Sequence, residues 1–292
     1  MFEKTYKLEA GPPAVDFNEY ANATSAAFLR LLDTAQTECQ LQEFLELHPS
    51  MVPGALTPGS QSGHSPMYEA LIAQPLLPGF DAKVPDFLWL SQHSSCIYAA
   101  MIEIECPTKK LFTKAGLQRA EFTQAYGQIK DWRRWFNSGS NKQIFFEQYG
   151  LTQRMMFSKE FELHFILVYG RRSEFVDNPN FSKRRHTLMS GHNEELMSFD
   201  RLQPNPWLSS AVTVKAIGAA QFLIKHVPET FEIRPPAVGD LFHFEGMEEA
   251  INRNQAMPAE RRDFLLRRLP YWRSWKESGA SRKTMYSTGD HE

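Results

Sequence analysis

The sequence predicts an α/β fold in which a mixed sheet is flanked by helices. Three stretches predict it. Val84–Pro107 (VPDFLWLSQHSSCIYAAMIEIECP) reads as two apolar strands joined by a polar turn at Ser91–Ser95. Lys114–Phe136 carries the spacing of an amphipathic helix. Phe161–Gly170 (FELHFILVYG) is a continuous apolar run of the kind found in a sheet covered on both faces. With 292 residues and 42% hydrophobic content, the chain can bury one large core or two modest ones.

Composition excludes several function classes. A net charge of −2 argues against a uniformly basic nucleic-acid coat. The charge is uneven, however. Arg253–Lys283 holds nine Lys/Arg against three Asp/Glu, whereas Met1–Gln40 holds six acids against three bases. The cysteines Cys39, Cys96 and Cys106 lack metal-ligand spacing and are odd in number, which points to a reducing cytoplasm. The N-terminus has no signal pattern, and no apolar run approaches the ~20 residues of a membrane span. His48, His64, His93, His164 and His186 form no H-x-x-x-H or H-E-x-x-H pattern, and neither a phosphate-loop motif nor a G-x-S-x-G elbow is present.

Taken in order, residues 1–24 are polar and broken by Gly11-Pro12-Pro13, an arm or loop. Helical spacing starts near Thr24. A second helix, TAQTECQLQEFLELHP, is stopped by Pro49. Its apolar stripe is Leu41, Phe44, Leu45 and His48, and Glu38 falls on that stripe, either as a functional acid or as an end-of-stripe residue reaching water. Residues 50–83 are rich in Pro, Gly and Ser and read as a long irregular segment. In the hairpin, Asp86 stands near the start of one strand and Glu103 near the end of the next. Ile102 and Ile104 share one face, Glu103 and Glu105 the other. Three carboxylates thus converge at one end of a sheet, and the usual remedy for buried like charges is a divalent cation.

On the helix after the hairpin, Glu121, Gln124 and Gln128 share a face, and Lys130, Arg133 and Arg134 add positive charge near its end. Arg171 and Arg172 follow the apolar run directly. FSKRRHTLM reads as a helix and LMSFDRL as a short strand. Beyond Pro204 a small β-meander is expected (Val212–Ile217, Gln221–Val227, Phe231–Arg234), then helices at about Glu248–Gln255 and Pro258–Arg268, then a disordered tail. The basic and aromatic mix of this last region (Arg261, Arg262, Arg267, Arg268, Tyr271, Trp272, Arg273, Trp275) suits a nucleic-acid backbone with stacking, and equally an oligomer interface.

P-D, a gap, then a hydrophobic E-x-K is the signature of the PD-(D/E)XK nucleases. PDFLWL, AAMIEIECP and a helix carrying Gln128 together resemble the Shedu family of anti-phage nucleases. LQEFLELHP is similar to the helix that opens Shedu nuclease domains. ILVYGRRSEF through RRHTLM to MSFDRL resembles the back half of the same domain. The resemblance covers about residues 34–204, and divides the chain into an N-terminal arm and helix (1–33), a PD-(D/E)XK nuclease-like domain (34–204) and an accessory region (205–292). It implies Mg²⁺-dependent DNA cleavage (with Mn²⁺ substituting) in anti-phage defence, by a cytoplasmic homo-oligomer that does not enter membranes.

The resemblance also implies site residues. Asp86 and Glu103 become metal ligands, with the Ile104 carbonyl as a further one and Glu38 as an acid from the opening helix. Gln128 orients a water or phosphate, or is simply a half-covered polar residue. Lys109, Lys110, Arg133, Arg134, Arg171, Arg172, Arg267 and Arg268 are the DNA-backbone candidates. The Shedu pattern has lysine where this chain has Glu105. Three readings follow: Glu105 binds a second metal or acts as general base; Lys109 or Lys110 reaches back to supply the ammonium; or the site is degenerate and the chain only binds nucleic acid or a partner.

Overall fold

In the computed structural model, described for residues 3–56, 65–79, 82–176, 179–189, 191–235, 244–287 and 289–292, the chain forms a mixed eight-stranded sheet with helices on both faces. The elements in chain order are α1 (Phe17–Thr34), α2 (Glu38–Leu47), β1 (Ser65–Pro66), β2 (Ala70–Ala73), β3 (Phe87–Gln92), β4 (Cys96–Ile104), α3 (Ala120–Phe136), α4 (Gly139–Gln148), α5 (Gln153–Ser158) and β5 (Glu160–Val168). They continue with α6 (Ser173–Val176), α7 (Pro179–Arg185), β6 (Glu194–Met197), β7 (Val212–Gly218), β8 (Gln221–His226), α8 (Met247–Arg253) and α9 (Ala259–Glu277). The spatial order is β6-β5-β4-β3-β2-β7-β8, with β1 also paired to β3. β4, β5 and β6 run parallel, as do β2 and β7; the β2/β3, β3/β4 and β7/β8 pairs are antiparallel.

Alternation along the central strands builds two cores. Phe87, Trp89, Ala100, Ile102, Ile104 and Ile166 meet Phe28 and Leu32 of α1 and Leu41 and Leu45 of α2. Leu88, Leu90, Ala99, Met101 and Phe165 meet Ile129 and Trp132 of α3, Phe145 of α4 and Leu265, Leu269 and Trp272 of α9. Both faces of β3 and β4 are covered, which is why they read as unbroken apolar runs. The starts of α1 and α2 are set by local chemistry. Asp16 Oδ1 accepts from the N–H groups of Asn18 (2.9 Å) and Glu19 (3.1 Å), so α1 begins earlier than the expected Thr24. A Thr37–Gln40 capping box starts α2 and puts Glu38 in its first turn.

Four features differ from the sequence reading. The segment 50–83 is not wholly irregular: Ala70-Leu71-Ile72-Ala73 is a fully buried strand between β3 and β7, although residues 57–64 and 80–81 of that segment lie outside the described part. The region after Pro204 joins the same sheet, because β7 pairs with β2 (Ile72 opposite Val214). Of the expected meander only two strands form; Ile233 instead exchanges backbone hydrogen bonds with Glu292 (2.9 and 3.0 Å). The tail is anchored rather than disordered. Glu292 lies in a pocket where Arg268 donates to it at 2.6 and 2.7 Å and Trp272 Nε1 at 2.8 Å. A buried ion pair with this many satisfied donors outweighs the weak local preference of a Ser- and Gly-rich sequence. No described helix is long and apolar enough to cross a membrane.

Candidate acid site at the end of the central hairpin

The β3/β4 register pairs Phe87 with Ile102, and the next step sets Asp86 opposite Glu103. Asp86 is locked there by its own neighbour strand: the Ile104 N–H donates to its Oδ2 at 2.7 Å. Gln42 of α2 donates from Nε2 to the Asp86 carbonyl (3.3 Å) and to Glu46 (3.0 Å). Glu103 is 9% exposed, and its Oε2 is buried with no hydrogen-bond partner. Glu105 follows β4, its N–H held by the Val168 carbonyl at 3.0 Å. Glu38 approaches from the start of α2. Lys109 ties the last two together, donating to Glu105 and, at 2.8 Å, to Glu38.

The electrostatics follow from that crowding. Burial pushes Asp86 up to about 7; the Glu38 charge adds to this and the Ile104 N–H opposes it. Burial and then the charges of Asp86, Glu105 and Glu38 push Glu103 far above the usual carboxylate range. Burial and the Glu38 carboxylate raise Glu105 to about 7 despite Lys109. Glu38 goes the other way: desolvation is outweighed by bonds from Glu105 and Lys109, which hold it below its ordinary value. Four acids with one ammonium cannot all be ionised at neutral pH without another cation.

The donor set is hard oxygen throughout, and the unpartnered Glu103 oxygen beside Asp86 fits a hard divalent ion. Among the described residues no three His, Cys, Asp or Glu side chains are gathered into a ready metal cage. Such a cage is not what Mg²⁺ needs, since one or two carboxylates plus waters and substrate oxygens suffice.

The structure sorts the other candidates. Gln128 is exposed on α3 and bonds to none of the acids. Ile104 contributes its N–H to Asp86 and is itself buried. Beside Lys109 a polar depression is lined by Thr108, Lys110, Arg119 and Glu121. Lys110 and Arg172 are exposed, and neither has a carboxylate partner among the described residues. Arg133 is bound to Glu194 (2.8 Å), Arg134 to Asp131 (2.8 Å), and Arg171 to Asp200 and Asp33 (2.9 and 3.1 Å). Arg268 is corrected outright: it is 4% exposed and paired with Glu292 and Glu9, so it cannot meet a DNA backbone. Trp272 and Trp275 are likewise buried and not available for base stacking. Arg267 is exposed and pairs with Glu9 at 2.7 Å. Gln42 was not singled out from sequence; its signal was its position four residues after Glu38 on the same helix.

The family model of the C-terminal region of Shedu protein SduA matches residues 35–203. The chain belongs to the Shedu family. The match takes in α2, the hairpin with Asp86, Glu103 and Glu105, Lys109, α3 and β6, so every acid of the site lies within the Shedu region. No curated protein matches the chain.

Proposed function

We propose that this Shedu protein is a metal-dependent DNA endonuclease of the PD-(D/E)XK type that acts in anti-phage defence, as a cytoplasmic homo-oligomer. The observation that carries it is the pair of half-buried Asp86 and buried Glu103, set opposite each other at the end of a hairpin, with the Glu103 Oε2 left unpartnered. Asp86 and Glu103 would hold Mg²⁺ or Mn²⁺, with the Ile104 carbonyl and Glu105 at the edge of the site. When bound, such an ion supplies Lewis-acid polarisation of the phosphate and a water of lowered pKa.

The chain's own residues do the rest. The Ile104 N–H holds the Asp86 carboxylate and Gln42 holds the Asp86 backbone carbonyl, so that the side chain is oriented rather than mobile. Lys109 supports the reading in which a lysine outside position 105 supplies the ammonium. Its Nζ already bonds Glu105, and Glu38 clamps it from the other side. Lys110 and Arg119, lining the adjoining depression, present positive charge to a phosphate backbone. Glu105 accepts from Lys109, and in this reading it would take the proton of the attacking water.

The test is cleavage of supercoiled plasmid with Mg²⁺ or Mn²⁺ by wild type, Asp86→Ala and Glu105→Ala. Metal-dependent cutting by wild type that Asp86→Ala abolishes supports the nuclease. Cutting that survives Asp86→Ala, or that needs no metal, sinks it.

A further inference from the structure

Away from the acid site, at the C-terminal end of α2, a cavity of about 360 Å³ opens between α2, the end of β8 and α8. That volume lies at the small end of the ~300–1,000 Å³ typical of small-molecule sites. Two imidazoles line it, His48 and His226. His48 is fixed: its Nδ1 engages the Tyr20 hydroxyl at 3.1 Å, and its ring packs on Phe44 with centroids 4.5 Å apart. Its Nε2 makes no hydrogen bond within the described residues, and neither does the His226 ring. The floor is apolar, from the buried Val227 and Ala250. Arg253, exposed at the end of α8, has no carboxylate partner among the described residues. Glu229 also lines the cavity.

The charge state of the rings narrows the ligand. Burial, and then the charge of His226, takes His48 down to about 4. Burial, with Lys225 and Arg253 nearby, also holds His226 below its ordinary value, against Glu46. Both rings are therefore neutral at pH 7, flat and able to donate or accept a hydrogen bond. They offer a planar ring a stacking surface. Among the described residues that line the cavity, Arg253 is the one cation without a carboxylate partner, which matches one phosphate group. Glu229 can accept from hydroxyl or amino groups. A metal is the poorer fit, because the described residues supply no third ligand beside the two rings.

We propose that this cavity binds a free nucleoside monophosphate, its base against His48 and His226 and its phosphate on Arg253. The cavity holds about one nucleotide, and its lining offers no further cation to follow a strand. The proposal does not depend on nuclease activity.

The experiment is isothermal titration of the full chain with AMP, GMP, CMP and dTMP, with adenosine, inorganic phosphate and a single-stranded oligonucleotide as comparisons. Wild type is set beside His226→Ala and Arg253→Ala, with unfolding curves to show that both variants fold. At least one of the four should bind at one per chain. Adenosine and phosphate should each bind at least tenfold more weakly, and Arg253→Ala should weaken binding by about tenfold or more. His226→Ala should weaken the nucleotide and not phosphate. Absence of binding by all four at millimolar concentration overturns the proposal. So does binding indifferent to both substitutions, or binding of the oligonucleotide alone.

Discussion

Replacing Asp86 by Asn should make the metal-free protein more stable while removing its cleavage activity. The Asp86 carboxyl sits at about 7 in the folded chain against an ordinary 3.8. Below about pH 4 it is protonated in both states and costs nothing. As pH rises from 4 to 7, the unfolded chain loses the proton and the folded chain keeps it, so stability falls across that window. The interval of roughly three pH units is worth about 4 kcal/mol at 1.36 kcal/mol per unit. Asn keeps an oxygen for the Ile104 N–H, so the substitution should recover about 2–4 kcal/mol at pH 8 and little at pH 4. In a chain of this size that is a rise in Tm of roughly 3–7 °C. The assay is thermal or urea unfolding with a chelator present, from pH 4 to pH 8, for wild type and Asp86→Asn. A variant equal to or less stable than wild type at pH 8, or a gain that does not grow with pH, would refute the account of a strained acid cluster. Added Mg²⁺ should stabilise wild type and close much of the gap, because a bound cation offsets the same repulsion.

Other outcomes follow from the same geometry. Lys109→Met should lower the single-turnover cleavage rate by about 10²-fold or more while DNA affinity shifts only a few-fold; equal losses in both would make Lys109 a phosphate contact. Arg268→Ala should cost about 3–5 kcal/mol by leaving Glu292 buried without its partner, whereas Arg267→Ala should cost at most about 1 kcal/mol, both read from urea unfolding midpoints. Gln128→Ala should leave the cleavage rate constant unchanged, and a large drop in single-turnover rate would return Gln128 to the site.

What the sequence made legible was local. The hairpin, its facing acids and α3 follow from alternation and helical spacing, and these patterns hold because both faces of β3 and β4 are buried. Glu38 was visible as an acid on an apolar stripe, but its partner was not: Lys109, reached only after the chain turns past Pro107, bonds it while the Glu38 side chain stays exposed to water. β2 was missed because four apolar residues among Pro, Gly and Ser carry little signal, and its neighbour β7 is remote in the chain. The tail and Arg268 misled for the same reason. A Ser/Gly-rich terminus and an Arg-rich helix read as solvated when each is considered alone, and they bury each other when they meet.

The reach of the Shedu match and the reach of the hydrophobic sheet differ. Residues 35–203 include β2 but not the strand that lies along its outer edge. A fragment cut to that span would expose the backbone of Ala70–Ala73, four residues buried in the whole chain, as an unpaired apolar edge. The matched span is thus smaller than the sheet it belongs to. Transplanting the matched part into another protein would require the recipient to supply a parallel strand of its own.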